Sequence, residues 1–107
     1  MEGLELIAFQ IISAVGTARS CFIEAIQLAK SGDFSRADEL IKEGETCFVQ
    51  GHHAHSELIA KEANGEHVGA NLILIHAEDQ LMSAESFKLL AEEFIDVNRR
   101  LQALEEK

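Results

Sequence analysis

The chain contains no proline, so no position along it is barred from a helix interior by a missing N–H or a ring clash. Cysteine is nearly as scarce. Cys21 and Cys47 stand at no spacing that suits a metal, and each lies inside a helical pattern. They read as buried free thiols and not as a disulfide. Basic residues are few: nine Lys and Arg against 19 Asp and Glu, for a formal charge of −10. That imbalance repels phosphate backbones and anionic bilayers, so neither nucleic acid nor a membrane surface is an expected partner. A basic protein surface suits it better. No uninterrupted apolar run approaches the roughly 20 residues that span a bilayer. Leu4 to Ile12 lacks the basic flank and the small-residue cleavage site of a signal peptide. The expectation is one cytoplasmic domain over residues 1–107, without membrane insertion.

What is present is apolar periodicity. Nearly half the residues are apolar, enough for a core. The pattern predicts a first helix from about Leu4 to Ser31, with Leu4, Ile7, Ile11, Ala14, Ala18, Phe22, Ala25 and Ala29 on one stripe. A second stripe (Leu6, Phe9, Val15, Ile23, Ile26) widens the apolar face. Lys30 followed by Gly32 marks a helix end. Asp33 then caps a second helix from Phe34 to about Ala63, on which Ala37, Ile41, Gly44, Phe48, His52, His55 and Ile59 share a face. Asn64-Gly65 breaks the chain. A third helix runs from near Ala70 to Leu104, with Arg99 and Arg100 placed to favour its C-terminal dipole. The fold class is all-α, an antiparallel up-down-up three-helix bundle. The first helix is apolar over more of its circumference than one bundle uses. Either it is central in its own fold or it also packs against other copies, and self-association is the preferred reading.

The third helix carries an apolar seam through Phe87, Leu90, Phe94, Val97 and Leu101. Traced back towards the N-terminus, the same seam becomes Ser83, Gln80 and His76. A chain built only for stability would place Leu or Ile at those positions. On the second helix His52 and His55 lie on the seam of Phe48 and Ile59, and antiparallel packing would bring His52, His55, His76 and Gln80 into one region. His53 and His67 read as solvated bystanders. Asp79 falls on a neighbouring strip with Leu72, Ile75, Met82 and Ser86. It is either an ordinary exposed acid or a carboxylate at an interface between copies, where like charges would need a cation or protons.

Three chemistries could use such histidines. Zinc takes four well-spaced N or S ligands, and the i, i+3 pairs His52/His55 and His76/Asp79 could supply them. A di-iron bundle needs Glu-x-x-His pairs, which do not occur here. A phosphoryl relay needs one neutral imidazole nitrogen as nucleophile with donors around it, and His76 with Gln80, Ser83 and facing histidines fits best. No phosphate-binding Gly loop is present, so the chain would not use a nucleotide itself. A histidine phosphotransfer domain of two-component signalling usually sets a basic residue beside its nucleophile, where Glu78 and Asp79 stand here. A helical adaptor whose histidines bind metal is the remaining alternative.

Several segments resemble the lactose/cellobiose-type enzyme IIA of the bacterial phosphoenolpyruvate-dependent sugar phosphotransferase system. They are Gly16-Thr17-Ala18-Arg19-Ser20, Ser31-Gly32-Asp33-Phe34, Gly51 to Ile59, Lys61-Glu62-Ala63 and, most specifically, His76-Ala77-Glu78-Asp79-Gln80-Leu81-Met82. In this order and spacing they make a strong match, and the resemblance covers almost the whole chain. The resemblance implies a homotrimer of three-helix protomers forming a nine-helix bundle. It implies that His76 accepts a phosphoryl group from HPr and passes it to a IIB component. That component would phosphorylate a disaccharide such as cellobiose, lactose or chitobiose as it enters through the membrane IIC component. It implies that Asp79 from three chains meets on the symmetry axis around a divalent cation, Mg2+, and that Gln80, His52 and His55 border the phosphate. Two residues of the strongest motif depart from the family pattern: Glu78 stands where Gln is usual and Gln80 where His is usual. His55 and Ser56 replace Gln and Thr. Helical geometry sets Glu78 about 200° from His76, towards solvent or a neighbouring chain.

Overall fold

Two helix stops divide the chain. At the first, the Gly32 N–H donates to Ala29 O and the Asp33 N–H to Leu28 O, the paired bonds of a Schellman cap. Gly32 holds the left-handed conformation this needs, at φ +87°. Asp33 then starts the next helix, its Oδ1 accepting from the Arg36 N–H at 3.1 Å. The second stop repeats the bonding, Gly65 N–H to Glu62 O and Glu66 N–H to Lys61 O. The computed structural model describes residues 3–107, as α1 (Gly3–Lys30), α2 (Phe34–Ala63) and α3 (Leu72–Glu105). α3 begins two residues later than the periodicity predicts. Asn71 is extended, and its side chain accepts from the Leu74 N–H at 2.9 Å, which fixes it as the cap. Arg99 and Arg100 do not serve the C-terminal dipole. They sit more than a turn from the helix end and pair with Asp38 and Asp96.

The three helices form the expected all-helical bundle. α1 is its centre, packing on α2 and α3 more extensively than those two pack on each other. Its buried stripe is Ala8, Ile11, Val15, Ala18, Phe22, Ala25 and Ala29, so Leu4, Ile7 and Ala14 lie to one side of it. By length and composition alone α1 could cross a bilayer, yet this stripe is the one the other two helices cover. On α2 the buried line runs from Ala37, Leu40 and Ile41 through Gly44 to Gly51, Ala54 and Leu58. It therefore leaves the expected path through His52 and Ile59, both exposed. The reason is close approach. A Cβ at Gly44 would collide with the Phe22 ring, and one at Gly51 would lie 2.5 Å from Val15 Cγ1. These glycines are where α2 presses on α1, and a search for bulky apolar residues passes over them. α3 buries Leu74, Ala77, Leu81, Ala84, Ala91 and Ile95, three of them alanines. The expected core seam through Leu90, Phe94, Val97 and Leu101 is half-exposed instead.

The bundle is thin, 61 × 23 × 20 Å, with a radius of gyration of 16.9 Å against about 13 Å for a compact chain of this length. So slender a rod has little interior, and large apolar side chains remain outside on every helix. Cys21 and Cys47 are free and only partly buried. Burial, reinforced by Cys47 nearby, pushes the Cys21 thiol above its ordinary value.

Candidate functional site

The orientation of α3 places the candidate residues. Leu74, Ala77 and Leu81 face inward. Glu78 turns to α2, where its Oε1 accepts from His55 Nε2 at 2.7 Å. His76 lies about 200° round the helix from Glu78, hence on the flank away from α2. Further along that flank Phe87 lies beneath the Arg19 guanidinium of α1, with Cζ 4.7 Å from the ring centroid. The seam of His76, Gln80, Ser83 and Phe87 therefore follows the α1 side of α3.

His76 is exposed, and its ring makes no hydrogen bond or ion pair among the described residues. Gln80, one turn on, is half-buried. An accessible imidazole with a free nitrogen can act as a nucleophile, and an amide one turn away can donate to an anion it acquires.

His52, His55, His76 and Gln80 do not form one region within the protomer. His55 is committed to Glu78 on the opposite flank of α3, with 17% of its side chain exposed. His52 is exposed, its ring 6.2 Å from that of Phe48 on the same helix. The cause is the shift of the α2 line onto Gly51 and Ala54, which turns the expected His52 face outward. Glu78 keeps 45% of its side chain exposed, as expected, while its carboxylate is held on the α2 side by His55. That pair went unforeseen in the sequence, although both residues depart from the resembled pattern. His53 and His67 are exposed as expected, His53 only 3.6 Å from Glu57 in a solvated contact.

Asp79 is exposed among the apolar side chains Leu72, Ile75 and Met82, of which Leu72 is 82% exposed. One protomer offers one carboxylate here. No group of three or more His, Cys, Asp or Glu able to hold a metal ion occurs among the described residues. A cation at Asp79 would need carboxylates from further copies, whose hard oxygen donors would suit Mg2+.

Comparison with known proteins converges on one family. Residues 6–99 match the family described as PTS system, Lactose/Cellobiose specific IIA subunit. The chain is 37% identical over 99 residues to the lactose-specific EIIA component of Staphylococcus aureus (strain N315), covering 92% of this chain and 96% of that one. It is 41% identical over 97 residues to the galactose-specific EIIA component of Lactococcus lactis subsp. cremoris (strain MG1363), covering 91% and 84%. Among solved structures, the cellobiose-specific enzyme IIA of Bacillus anthracis superposes with a TM-score of 0.91 at 42% identity, over 96% of this chain and 95% of that one. The IIA(chitobiose)–HPr complex of Escherichia coli superposes at 0.80 with 28% identity, over 95% and 99%.

Proposed function

Because the chain belongs to the lactose/cellobiose-specific IIA family of the sugar phosphotransferase system, we propose that it carries a phosphoryl group on His76, taken from phospho-HPr and passed to a IIB component. The observation that carries this reading is the exposed, unpaired imidazole of His76 at the head of a seam otherwise shared with apolar residues. A free ring nitrogen attacks the phosphorus of the donor phosphohistidine. The new N–P bond forms as the old one breaks, and the donor imidazole recovers its electron pair. Transfer to IIB repeats the exchange in the other direction. Gln80 donates to the phosphoryl oxygens from one turn along the helix. Glu78 would oppose a dianion if it shared the flank of His76, and its bond to His55 holds it on the other side. The solved complex of a IIA relative with HPr supports this type of donor. The sugar is a disaccharide of the lactose, cellobiose or chitobiose kind, and the protein works in the cytoplasm.

The working assembly is a homotrimer, a nine-helix bundle. The thin rod and the half-exposed seam of Leu90, Phe94, Val97 and Leu101 support self-association. In it, three Asp79 carboxylates surround a magnesium ion, which offsets their mutual repulsion. His52 and His55 border the phosphoryl group only from a neighbouring copy.

Incubation with phosphoenolpyruvate, enzyme I and HPr should give an acid-labile phosphoryl adduct, absent from His76→Ala. No adduct on the unaltered chain overturns the relay, and an adduct surviving His76→Ala overturns the site. Asp79→Leu should leave the trimer intact or firmer by sedimentation, since apolar contact replaces repulsion. Dissociation to monomers would count against the axial placement.

A further inference from the structure

Cys21 and Cys47 are the two thiols of the chain, and the proposed relay uses neither. Both border the buried cluster around Phe22, one from α1 and one from α2. Two close approaches fix the register of those helices, Phe22 on Gly44 and Val15 on Gly51. At that register Cys47 lies level with residue 19 of α1, two positions short of Cys21, or about 3 Å along the axis. Direction narrows the gap further. Every Cβ leans towards the N-terminus of its own helix. In this antiparallel pair Cys21 therefore leans towards the level of Cys47, and Cys47 towards the level of Cys21.

The two thiols also share one side of the α1–α2 contact. Ala14, seven residues before Cys21 and so on the same strip of α1, lies 3.5 Å from where a Cβ at Gly51 would be. Thr17, one turn before Cys21, lines an open groove between the helices together with Ala14, Cys47 and Gln50. Gly44 and Gly51 flank Cys47 by three and four residues. They draw the two backbones together, as the short Cα separation of a disulfide requires. Burial, and after it the nearby Cys47 and the carboxylates of Glu43 and Glu24, raise the Cys21 thiol.

We propose that Cys21 and Cys47 form a dithiol site for a peroxide, closing to a disulfide that ties α1 to α2. Cys47, which opens on the groove, reacts first. Its thiolate attacks one peroxide oxygen and the O–O bond breaks, leaving a sulfenic acid and a hydroxide that takes up the lost thiol proton. The Cys21 thiolate then attacks that sulfur. The S–S bond forms as the S–O bond breaks, and the departing hydroxide takes up the Cys21 proton. Two thiols thus give up two electrons and two protons, and one peroxide becomes two waters. Cys21, held protonated by its surroundings, keeps the pair reduced until Cys47 has been oxidised. A transient disulfide of this kind suits a reducing cytoplasm. It pins the Phe22 end of the bundle and leaves α3 and His76 untied.

Treatment of the full chain with hydrogen peroxide, alkylation of the remaining thiols and tryptic digestion tests the site. The peptides 20–30 and 43–61 should be found joined. The oxidised chain should run as a single protomer on a non-reducing gel, and dithiothreitol should part the peptides. Cys21→Ser should stop at a Cys47 sulfenic acid that dimedone traps, and Cys47→Ser should leave Cys21 open to alkylation. The oxidised chain should also unfold at a higher denaturant concentration than the reduced one, because the bond constrains the unfolded chain. Peptides that stay separate, a bond between two copies, or a lower unfolding midpoint on oxidation would each overturn the site.

Discussion

The two ends of the rod are built differently. Around Phe22, the bundle is closed by a fully buried ring seated against Gly44, by the tight turn at 31–33, and by rungs from α2 to α3. Those rungs are Glu45–Lys88 at 3.1 Å and Asp38–Arg99 at 2.7 Å, the latter with Arg99 over the Phe34 ring. Around His76 the core is Ala8, Ile11, Val15, Ala54, Leu58, Leu74, Ala77, Leu81 and Ala84, with no buried aromatic ring. A longer connection over 64–71 enters α3, and Leu72 and Ile75 stand outside. The buried ring and the ion-pair rungs lie at one end and the exposed imidazole at the other. If His76 carries a phosphoryl group between two partners, as proposed, residues that serve exchange cannot also be packed for stability.

The contrast can be broken most forcefully at Phe22. Phe22→Ala empties the centre of the closed end and should cost about 3–5 kcal/mol in denaturant unfolding; a loss as small as that of a surface change would mean the end is not held there. Asn71→Ala removes the α3 cap at the open end and should cost about 1 kcal/mol, with early fraying near His76 seen by hydrogen exchange. Glu78→Gln weakens the bond to His55, a half-exposed rung worth no more than about 1 kcal/mol. A gentle pH effect belongs to the closed end. Burial raises the Cys21 thiol, so the fold favours its neutral form; that stability is full below the ordinary thiol value and declines as pH rises through the raised one. Slow alkylation of Cys21 relative to a free thiol at pH 8 would register the same shift. His76→Ala should leave stability within about 0.5 kcal/mol while abolishing the phosphoryl adduct, the sharpest separation of the two ends.

Much of this was legible in the sequence. The absence of proline, the Gly32-Asp33 stop and the Asn64-Gly65 break located three helices to within about two residues. Which side of each helix faces inward was less legible. Small residues hold the buried lines here, Ala77 and Ala84 fully buried and Gly44 and Gly51 with no room for a Cβ, and they contribute little to an apolar pattern. Bulky residues on the flanks therefore looked like the core. The same bias hid the site geometry. With α2 turned onto Gly51 and Ala54, His55 meets Glu78, and only His76 and Gln80 remain together on the α1 side. The family motif pointed to His76 because a motif depends on order and spacing, which a rotation of the helix does not alter.

The unequal connections also set an order of events as the chain folds. α1 and α2 are neighbours joined across 31–33, so their contacts close a short loop and form from local sequence. α3 must close the longer connection and dock on a surface already made, chiefly that of α1. The helix bearing His76 should thus dock last and open first, so that completing the fold completes the candidate site; native-state hydrogen exchange would show this as lower protection in α3 than in α1 and α2.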